Sequence, residues 1–289
     1  MKITLHIGAH ATDGEKLLRS LIRNSDTLTE HGILVPGPSK FRNIMRDAAT
    51  RLKGEVASPE TCELVLDEIM DDHKADHLVL SYDQFMSGVG MIMAGGGYYA
   101  RADRTAWLRN IFPGHEVRFA MGLRNPATHV PAVYKHVGDR SFDAFMQGVS
   151  PLDMLWSRPV KQILAANPGS PLILWCNEDT PLIWPEIMRT VADCPPEVGL
   201  RGGLDVIQTI LQPDGLKRLV AYLQTNPAQN DQQRRRILTA FLERYALIDE
   251  LEEEVDLPGF TAEVVEEMTR IYDEDCDYIQ TIPGVTFIS

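Results

Sequence analysis

The chain has 289 residues, of which 44% are apolar and 24% charged, and this is the composition of an ordinary globular protein with a sizeable core. Lysine and arginine total 28 against 41 aspartates and glutamates, so the formal net charge is 28 − 41 = −13. This acidic balance argues against a general nucleic-acid binder and against binding to anionic membranes, since both need a basic face.

Short apolar runs predict the strands of a parallel sheet. The first run alternates Ile3, Leu5 and Ile7 and ends in Gly8, which is typical of a strand that leads into a turn. The expected strands are 2–8, 32–36, 77–81, 117–123 and 171–175. The run at 77–81 is continuously apolar, as expected for a strand that is buried on both faces.

Helices are predicted between the strands. Asp13 and Gly14 open a segment in which apolar residues recur with the helical period, and Ser58-Pro59-Glu60 has the residues of a helix start. Further helices are expected at 41–53, 59–72, 101–110, 126–136, 141–148, 151–166 and from 181, and then at 204–223, 230–248 and 261–279. The acidic run at 250–254 is interpreted as a solvated helix end.

The alternation of strands and helices predicts an α/β fold, with a parallel sheet flanked by helices in three layers. It continues to about residue 190, after which only helices are expected. We therefore divide the chain into an α/β core at 1–190 and a helical C-terminal extension at 191–289, packed on the same domain. Pro195-Pro196, Gly202-Gly203 and Leu257-Pro258-Gly259 are expected to be joints.

Targeting and metal signals are missing from the sequence. No apolar run reaches the roughly 18 residues of a membrane-spanning helix, and the first residues lack the apolar core of a signal peptide. The four cysteines, Cys62, Cys176, Cys194 and Cys276, are far apart and show no metal-ligand spacing. We expect a cytoplasmic protein with reduced thiols and no metal.

The loop after the first strand is the expected ligand site, because open parallel sheets bind ligands beyond the carboxyl ends of their strands. It has Gly8 and Gly14 with five residues between them, followed by Glu15. A Walker A loop has four residues between its glycines and then a lysine, so a nucleotide hydrolase is disfavoured.

The segment HIGAHATDGEKLLRSLIRN resembles the opening of bacterial sulfotransferases, in which the first loop reads H-I-G-x-H-K-T-G-T-T. Arg124-Asn125-Pro126 is similar to the family's second cofactor motif, R-x-P, and the tail 260–284 resembles its closing helix. The resemblance implies a P-loop-type α/β fold. It also implies transfer of a sulfuryl group from 3′-phosphoadenosine 5′-phosphosulfate (PAPS) to a hydroxyl of a small molecule or glycan.

The resemblance assigns roles to particular residues. Gly8, His10, Thr12 and Gly14 would form the cofactor loop, and Arg124 would hold the 3′-phosphate. The chain departs from the family pattern at several positions. Ala11 replaces the catalytic lysine, Asp13 a glycine, Gly14 and Glu15 the two hydroxyl residues, and Ala132 the serine eight residues after Arg124.

The substitutions change the chemistry expected of the loop. A helix N-terminus binds anions through unpaired N–H groups, which Asp13 and Glu15 can satisfy as capping and first-turn acids. Their charges would also repel a phosphate. Lys16 lies two residues into the helix and does not obviously replace the missing lysine. The loop is therefore either a self-capped helix start or an altered anion site.

Other polar residues each have a functional and a structural interpretation. His10 is a candidate general base or a hydrogen-bonded loop residue, and Asp83 is a candidate base for the acceptor hydroxyl or a helix cap. Arg124 binds phosphate or forms a structural salt bridge.

The cluster 177–180 is a ligand contact or a helix start. Gly95–Gly97 approaches a ligand or forms a surface loop, and the methionines at 86, 91 and 93 line a pocket or fill the core.

Two functions remain open at this point. The first is a sulfotransferase in which His10 and Asp83 act on the acceptor; the second is a non-catalytic protein of that fold that binds a partner or small ligand. The missing lysine and glycine of the first loop favour weak or absent PAPS chemistry.

Overall fold

A computed structural model describes residues 1–195, 197–248 and 255–289. Within them, six strands form one all-parallel sheet in the order β2-β3-β1-β4-β5-β6. The strands are β1 (Lys2–His6), β2 (Ile33–Leu34), β3 (His77–Ser81), β4 (Glu116–Leu123), β5 (Leu172–Cys176) and β6 (Val285–Ile288). The predicted α/β fold with a parallel sheet flanked by helices is confirmed.

Helices follow the strands and cover the sheet. In the described part of the chain they are α1 (Lys16–Arg23), α2 (Ser25–Glu30), α3 (Arg42–Leu52), α4 (Pro59–Met70), α5 (Thr105–Arg109), α6 (Pro126–Tyr134), α7 (Phe142–Met146), α8 (Ser157–Ala166), α9 (Thr180–Ala192), α10 (Pro213–Thr225), α11 (Asp231–Tyr245) and α12 (Ala262–Gln280). As predicted, Ser58 caps α4, accepting a hydrogen bond from the Thr61 amide, and Pro59 is its first residue.

Each face of the sheet buries its own apolar cluster, because successive side chains of a strand point to opposite faces. Ile3 and Leu5 of β1 join a large cluster that includes α4, α6, α8 and α12. On the other face, Val79, Ala120 and Trp175 pack with residues of α1 and α9. Covering both faces gives the predicted three layers and places the strand ends, rather than the faces, in reach of a ligand.

The C-terminal part differs from the prediction of helices only. Strand β6 pairs with β5 at the edge of the sheet, and α12 contacts α6 and α8. With four residues, β6 is too short to give a clear periodic signal. Helices α10 and α11 form a separate small core around Leu219 and Leu238. The division of the chain at residue 190 stays a prediction.

Some predicted boundaries also differ. The helix expected from residue 204 begins at Pro213, since the chain before it forms turns and a short 3-10 helix at Ile207–Thr209. The acidic run 250–254 and the joint at Pro196 lie outside the described residues. Every helix of the described ranges is too short or too polar to cross a membrane.

Candidate functional site

The order of the strands locates a crevice. From β1 the chain continues to β2 and β3 on one side of the sheet, whereas from β4 it continues to β5 and β6 on the other side. Strands β1 and β4 are neighbours, so their connections leave in opposite directions, and ligands of open α/β sheets bind at such a switch point. The loop of residues 7–15, here called the first loop, and Arg124 follow these two strands.

Gly8 allows the first loop to approach the segment after β3. Its φ of +120° is in the region that favours glycine, and a Cβ atom built there would lie 3.1 Å from the carbonyl oxygen of Asp83. The close approach brings Asp83 next to the first loop. Asp83 does not cap a helix, because the chain after it forms turns and a short 3-10 helix at Val89–Met91.

His10 is buried, and both its ring and its backbone are held by hydrogen bonds. Its Nδ1 lies 2.7 Å from the Tyr99 hydroxyl, and its carbonyl oxygen accepts a hydrogen bond from His129 Nε2 at 2.9 Å. Burial lowers the pKa of His10, although the Asp83 charge opposes this effect. His10 is therefore neutral at pH 7, and its buried Nε2 has no hydrogen-bond partner within the described residues.

The hydrogen bonds of His129 fix its tautomer. The carbonyl of His10 only accepts, so His129 Nε2 carries the proton, and Nδ1 accepts from the Tyr98 hydroxyl at 2.7 Å. Burial and the charge of Arg124 lower the pKa of His129 to about 3, which keeps the ring neutral. Tyr98 also packs edge-on against Trp156, with ring centroids 4.7 Å apart. The buried rings of Tyr98, Tyr99, His129 and Trp156 pack together, and Tyr99 and His129 hydrogen-bond to His10 of the first loop.

Asp13 partly satisfies the N-terminus of α1, as the sequence suggested. Its Oδ2 atom accepts a hydrogen bond from the Leu17 amide at 2.9 Å. Glu15 behaves differently from the prediction, because its carboxylate makes no capping hydrogen bond and instead pairs with Arg42 at 2.7 Å. Thr12 donates its hydroxyl hydrogen to the Ala9 carbonyl at 2.8 Å. The N–H groups of residues 12–15 have no protein acceptor in the described part of the chain.

Arg124 meets the first loop from the end of β4. Its Nη1 donates to the carbonyl of Ala11, its Nε donates to the Thr128 hydroxyl at 3.2 Å, and its side chain is nearly buried. Its own carbonyl accepts a hydrogen bond from Trp156 Nε1 at 2.8 Å. The guanidinium thus contributes to the structure of the loop in the position where the resemblance places a phosphate ligand.

Besides the Arg124 guanidinium, two carboxylates contribute to the electrostatics of the crevice near the buried His6. His6 stacks on Trp175 and lies 2.8 Å, through Nδ1, from the Ser81 hydroxyl. Burial lowers the pKa of His6, and the charges of Asp13 and Asp83 both oppose the lowering. Two carboxylates near one buried ring make this part of the crevice unfavourable for a phosphate or sulfate.

A small cavity is lined in part by Tyr99, the hydrogen-bond partner of His10. It has a volume of about 130 Å³ and is lined by Met86, Ser87, Met91, Tyr99, Arg101 and Arg104, among others. Met86 and Met91 therefore line a pocket, which was one of the two interpretations of these methionines, whereas Met93 is buried in the core. Tyr99 connects the cavity to the His10 ring.

The structure brings together Gly8, His10, Thr12, Asp83 and Arg124 at one edge of the sheet. Gly14, the remaining predicted loop residue, is exposed at the start of α1. Sequence reasoning missed Arg42, Tyr99 and His129, which reach the loop from distant segments and carry no local signal.

The cluster at 177–180 lies at a helix start, which was one of its two interpretations. Residues Asn177–Asp179 form a 3-10 turn before α9, and Asp179 occupies the N-cap position without a side-chain capping bond. Glu178 instead accepts hydrogen bonds from the Asn125 amide and the Tyr272 hydroxyl, both at 2.8 Å. Glu178 thereby holds together the starts of α6 and α9 and the middle of α12.

A metal site was not expected, and within the described residues no group of three or more histidine, cysteine or acidic side chains is arranged to hold a metal ion. No protein-family model, no curated protein and no solved structure matches the chain. The resemblance to sulfotransferases therefore rests on the residues of the first loop, Arg124 and the closing helix alone.

Proposed function

We propose that this protein resembles a sulfotransferase in the part of the crevice that binds the acceptor, here called the acceptor side. It does not resemble one in the first loop and Arg124, which would bind PAPS and are here called the donor side. The crevice at the ends of β1 and β4 binds a hydroxyl-bearing small molecule or glycan, and the first loop does not hold PAPS. The observation that carries the proposal is the pair of carboxylates, Asp13 and Asp83, next to the buried neutral rings of His6 and His10.

The donor side does not suit the phosphates of PAPS. The Asp13 carboxylate accepts the hydrogen bond of the Leu17 amide at the N-terminus of α1. Ala11 stands where the resemblance places a lysine that stabilises the bridging oxygen as the sulfuryl group leaves. Arg124, which the resemblance assigns to the 3′-phosphate, donates to the backbone of the first loop. A phosphate would have to displace these contacts and also approach a carboxylate.

The acceptor side suits a ligand that both donates and accepts hydrogen bonds. Within the described part of the chain, the half-buried Asp83 carboxylate makes no side-chain hydrogen bond, and the buried His10 Nε2 has no hydrogen-bond partner. The cavity lined by Tyr99, the hydrogen-bond partner of His10, adds the Arg101 and Arg104 side chains as donors. A polyol or glycan meets both requirements, since one of its hydroxyl groups can donate to Asp83 while another accepts from an arginine of the cavity.

The test is binding by the wild-type protein to an array of neutral glycans and polyols, followed by calorimetric titration of each hit. Asp83→Asn should weaken binding at least tenfold. The matched control is Asp76→Asn, which removes the same charge from the other end of β3, where it is exposed, and should leave binding unchanged. A parallel titration with about 1 mM 3′,5′-ADP should show no heat beyond dilution. Failure of every glycan and polyol to bind would overturn the proposal.

A second candidate function is sulfuryl transfer from PAPS to the same hydroxyl. The observation in its favour is that the N–H groups of residues 12–15 have no protein acceptor, so the first loop retains donors for an anion. Asp83 would then accept the proton of the acceptor hydroxyl. Tight binding of 3′,5′-ADP by the wild-type protein, with a dissociation constant below about 100 µM, would favour this function over the first.

A further inference from the structure

Two cysteines that are distant in the sequence lie side by side in the fold. Cys176 is the last residue of β5, Cys276 is on α12, and their Sγ atoms are 3.6 Å apart. The other cysteines are buried elsewhere, with Cys62 on α4 and Cys194 after α9. The sequence alone suggested four unrelated thiols, because 100 positions separate the members of this pair.

The two sulfur atoms are close enough to bond after a small movement. A disulfide needs about 2.05 Å between its sulfur atoms, so the pair must close by about 1.5 Å, which is within reach of side-chain rotation and a slight shift of α12. Cys176 is half-buried at the end of its strand, whereas Cys276 is buried against the same edge of the sheet. An oxidant in solution therefore reaches Cys176 first.

The surroundings distinguish the two thiols. The hydrogen bond between the two thiols lowers the pKa of Cys176, although burial and the charges of Asp179 and Glu178 oppose this effect. The pKa of Cys276 is raised by Cys176 and by burial. Because Cys176 is the less buried of the two thiols, it is the one that attacks an oxidant from solution, and Cys276, with its Sγ 3.6 Å away, is placed to resolve the product.

We propose that Cys176 and Cys276 are a redox pair that forms a reversible intramolecular disulfide, with oxidised glutathione or another small disulfide as the oxidant. The Cys176 thiolate attacks one sulfur of glutathione disulfide, which forms a mixed disulfide and releases one glutathione thiolate. Cys276 then loses its proton and attacks the Cys176 sulfur, which releases the second glutathione. The protein loses two hydrogen atoms, and the oxidant is reduced to two glutathione molecules.

The disulfide would fasten α12 to the sheet next to the crevice. Helix α12 already carries Thr269, whose hydroxyl oxygen accepts from the Asn125 side chain at 2.9 Å, and Tyr272, which donates to Glu178. Asn125 follows Arg124 and caps α6. Oxidation would therefore add a covalent bond to a contact that now depends on hydrogen bonds between α12 and the strand ends that hold Arg124.

The experiment equilibrates the reduced full-length protein in glutathione buffers of increasing oxidised fraction, then traps free thiols and maps the peptides. We expect a peptide that joins Cys176 to Cys276, loss of two of the four thiols, and full reversal by dithiothreitol. The bond closes a loop of about 100 residues, so the melting temperature should rise by roughly 5–15 °C.

Cysteine variants supply the controls. Cys176→Ser and Cys276→Ala should each abolish the rise in melting temperature, whereas Cys62→Ala and Cys194→Ala should keep both the linked peptide and the rise. Stable glutathione attachment at Cys176 without the linked peptide would overturn the proposal. A linkage between any other two cysteines, or an oxidised protein that melts no higher than the reduced one, would also overturn it. Because the peptide map uses the wild-type protein, a variant that fails to fold does not affect the conclusion.

Discussion

The carboxylate of Asp13 is expected to be the main barrier to phosphate binding at the first loop, and Asp13→Asn removes its charge while keeping a side-chain oxygen. A phosphate bound at the N-terminus of α1 would lie about 4 Å from this carboxylate, and two unit charges at that separation interact by about 4 kcal/mol at an effective dielectric constant of 20. Removing the charge should therefore raise the affinity for 3′,5′-ADP by up to about a thousandfold.

The assay is isothermal titration of wild-type and variant proteins with 3′,5′-ADP at low and at high salt, since added salt screens the repulsion and should narrow the difference. The matched control is Asp26→Asn on α2, which changes the net charge equally at an exposed site outside the loop. Equal affinities of the two variants would refute the reasoning, because the repulsion would then not be local to the first loop.

The same substitution separates charge from capping. Asp13 Oδ2 accepts the Leu17 amide at 2.9 Å, and the asparagine oxygen can accept it as well, so the melting temperature of Asp13→Asn should change by only a few degrees. Asp13→Ala removes the acceptor and should cost about 0.5–2 kcal/mol of stability. Chemical denaturation of both variants measures this difference, and equal stabilities would mean that the hydrogen bond contributes nothing.

Three further predictions concern stability. Glu186 is buried between α9 and α11 and pairs with Arg234 at 2.5 Å. Glu186→Ala should therefore lower the free energy of unfolding, measured by urea titration, by about 2–4 kcal/mol. A loss below about 0.5 kcal/mol would show that the ion pair does not stabilise the contact between the two helices. His129 has its pKa lowered to about 3, so the unfolded state takes up a proton below about pH 6.5 that the folded state does not, and stability falls as the pH decreases. The stability difference between about pH 7 and pH 5 should be about 2 kcal/mol smaller in His129→Gln, and an unchanged difference would contradict the assignment. A Cβ atom at Gly215 of α10 would lie 2.3 Å from Cβ of Tyr245. Gly215→Ala should therefore destabilise the protein by about 1–3 kcal/mol, although alanine has the better helix propensity. A variant more stable than the wild type would contradict this packing.

Local patterns in the sequence predicted the elements that depend on neighbouring residues. The alternation of Ile3, Leu5 and Ile7 identified β1, and the apolar run at 77–81 identified β3, because each strand buries side chains that are close in the sequence. The capping role of Asp13 was also visible, since the acid and the Leu17 amide are four positions apart. These features follow from spacing alone.

Contacts between distant segments could not be predicted in this way. Arg42 reaches Glu15 from α3, Tyr99 reaches His10 across 89 positions, and Cys176 meets Cys276 across 100 positions. Each of these pairs depends on the arrangement of the strands, which periodicity does not specify. The assignment of Arg124 to a phosphate and of Asp83 to a proton-accepting role both stay predictions, although the structure places the two residues beside the first loop.

The position of β6 has a consequence for biosynthesis. It is the last part of the sheet to be translated, and it pairs with β5, whose sequence from Leu172 to Trp175 is entirely apolar. Until the ribosome has released residue 288, the outer edge of β5 offers unsatisfied backbone groups to any other extended chain. Nascent chains that lack β6 are therefore expected to aggregate more readily than chains whose sheet is complete.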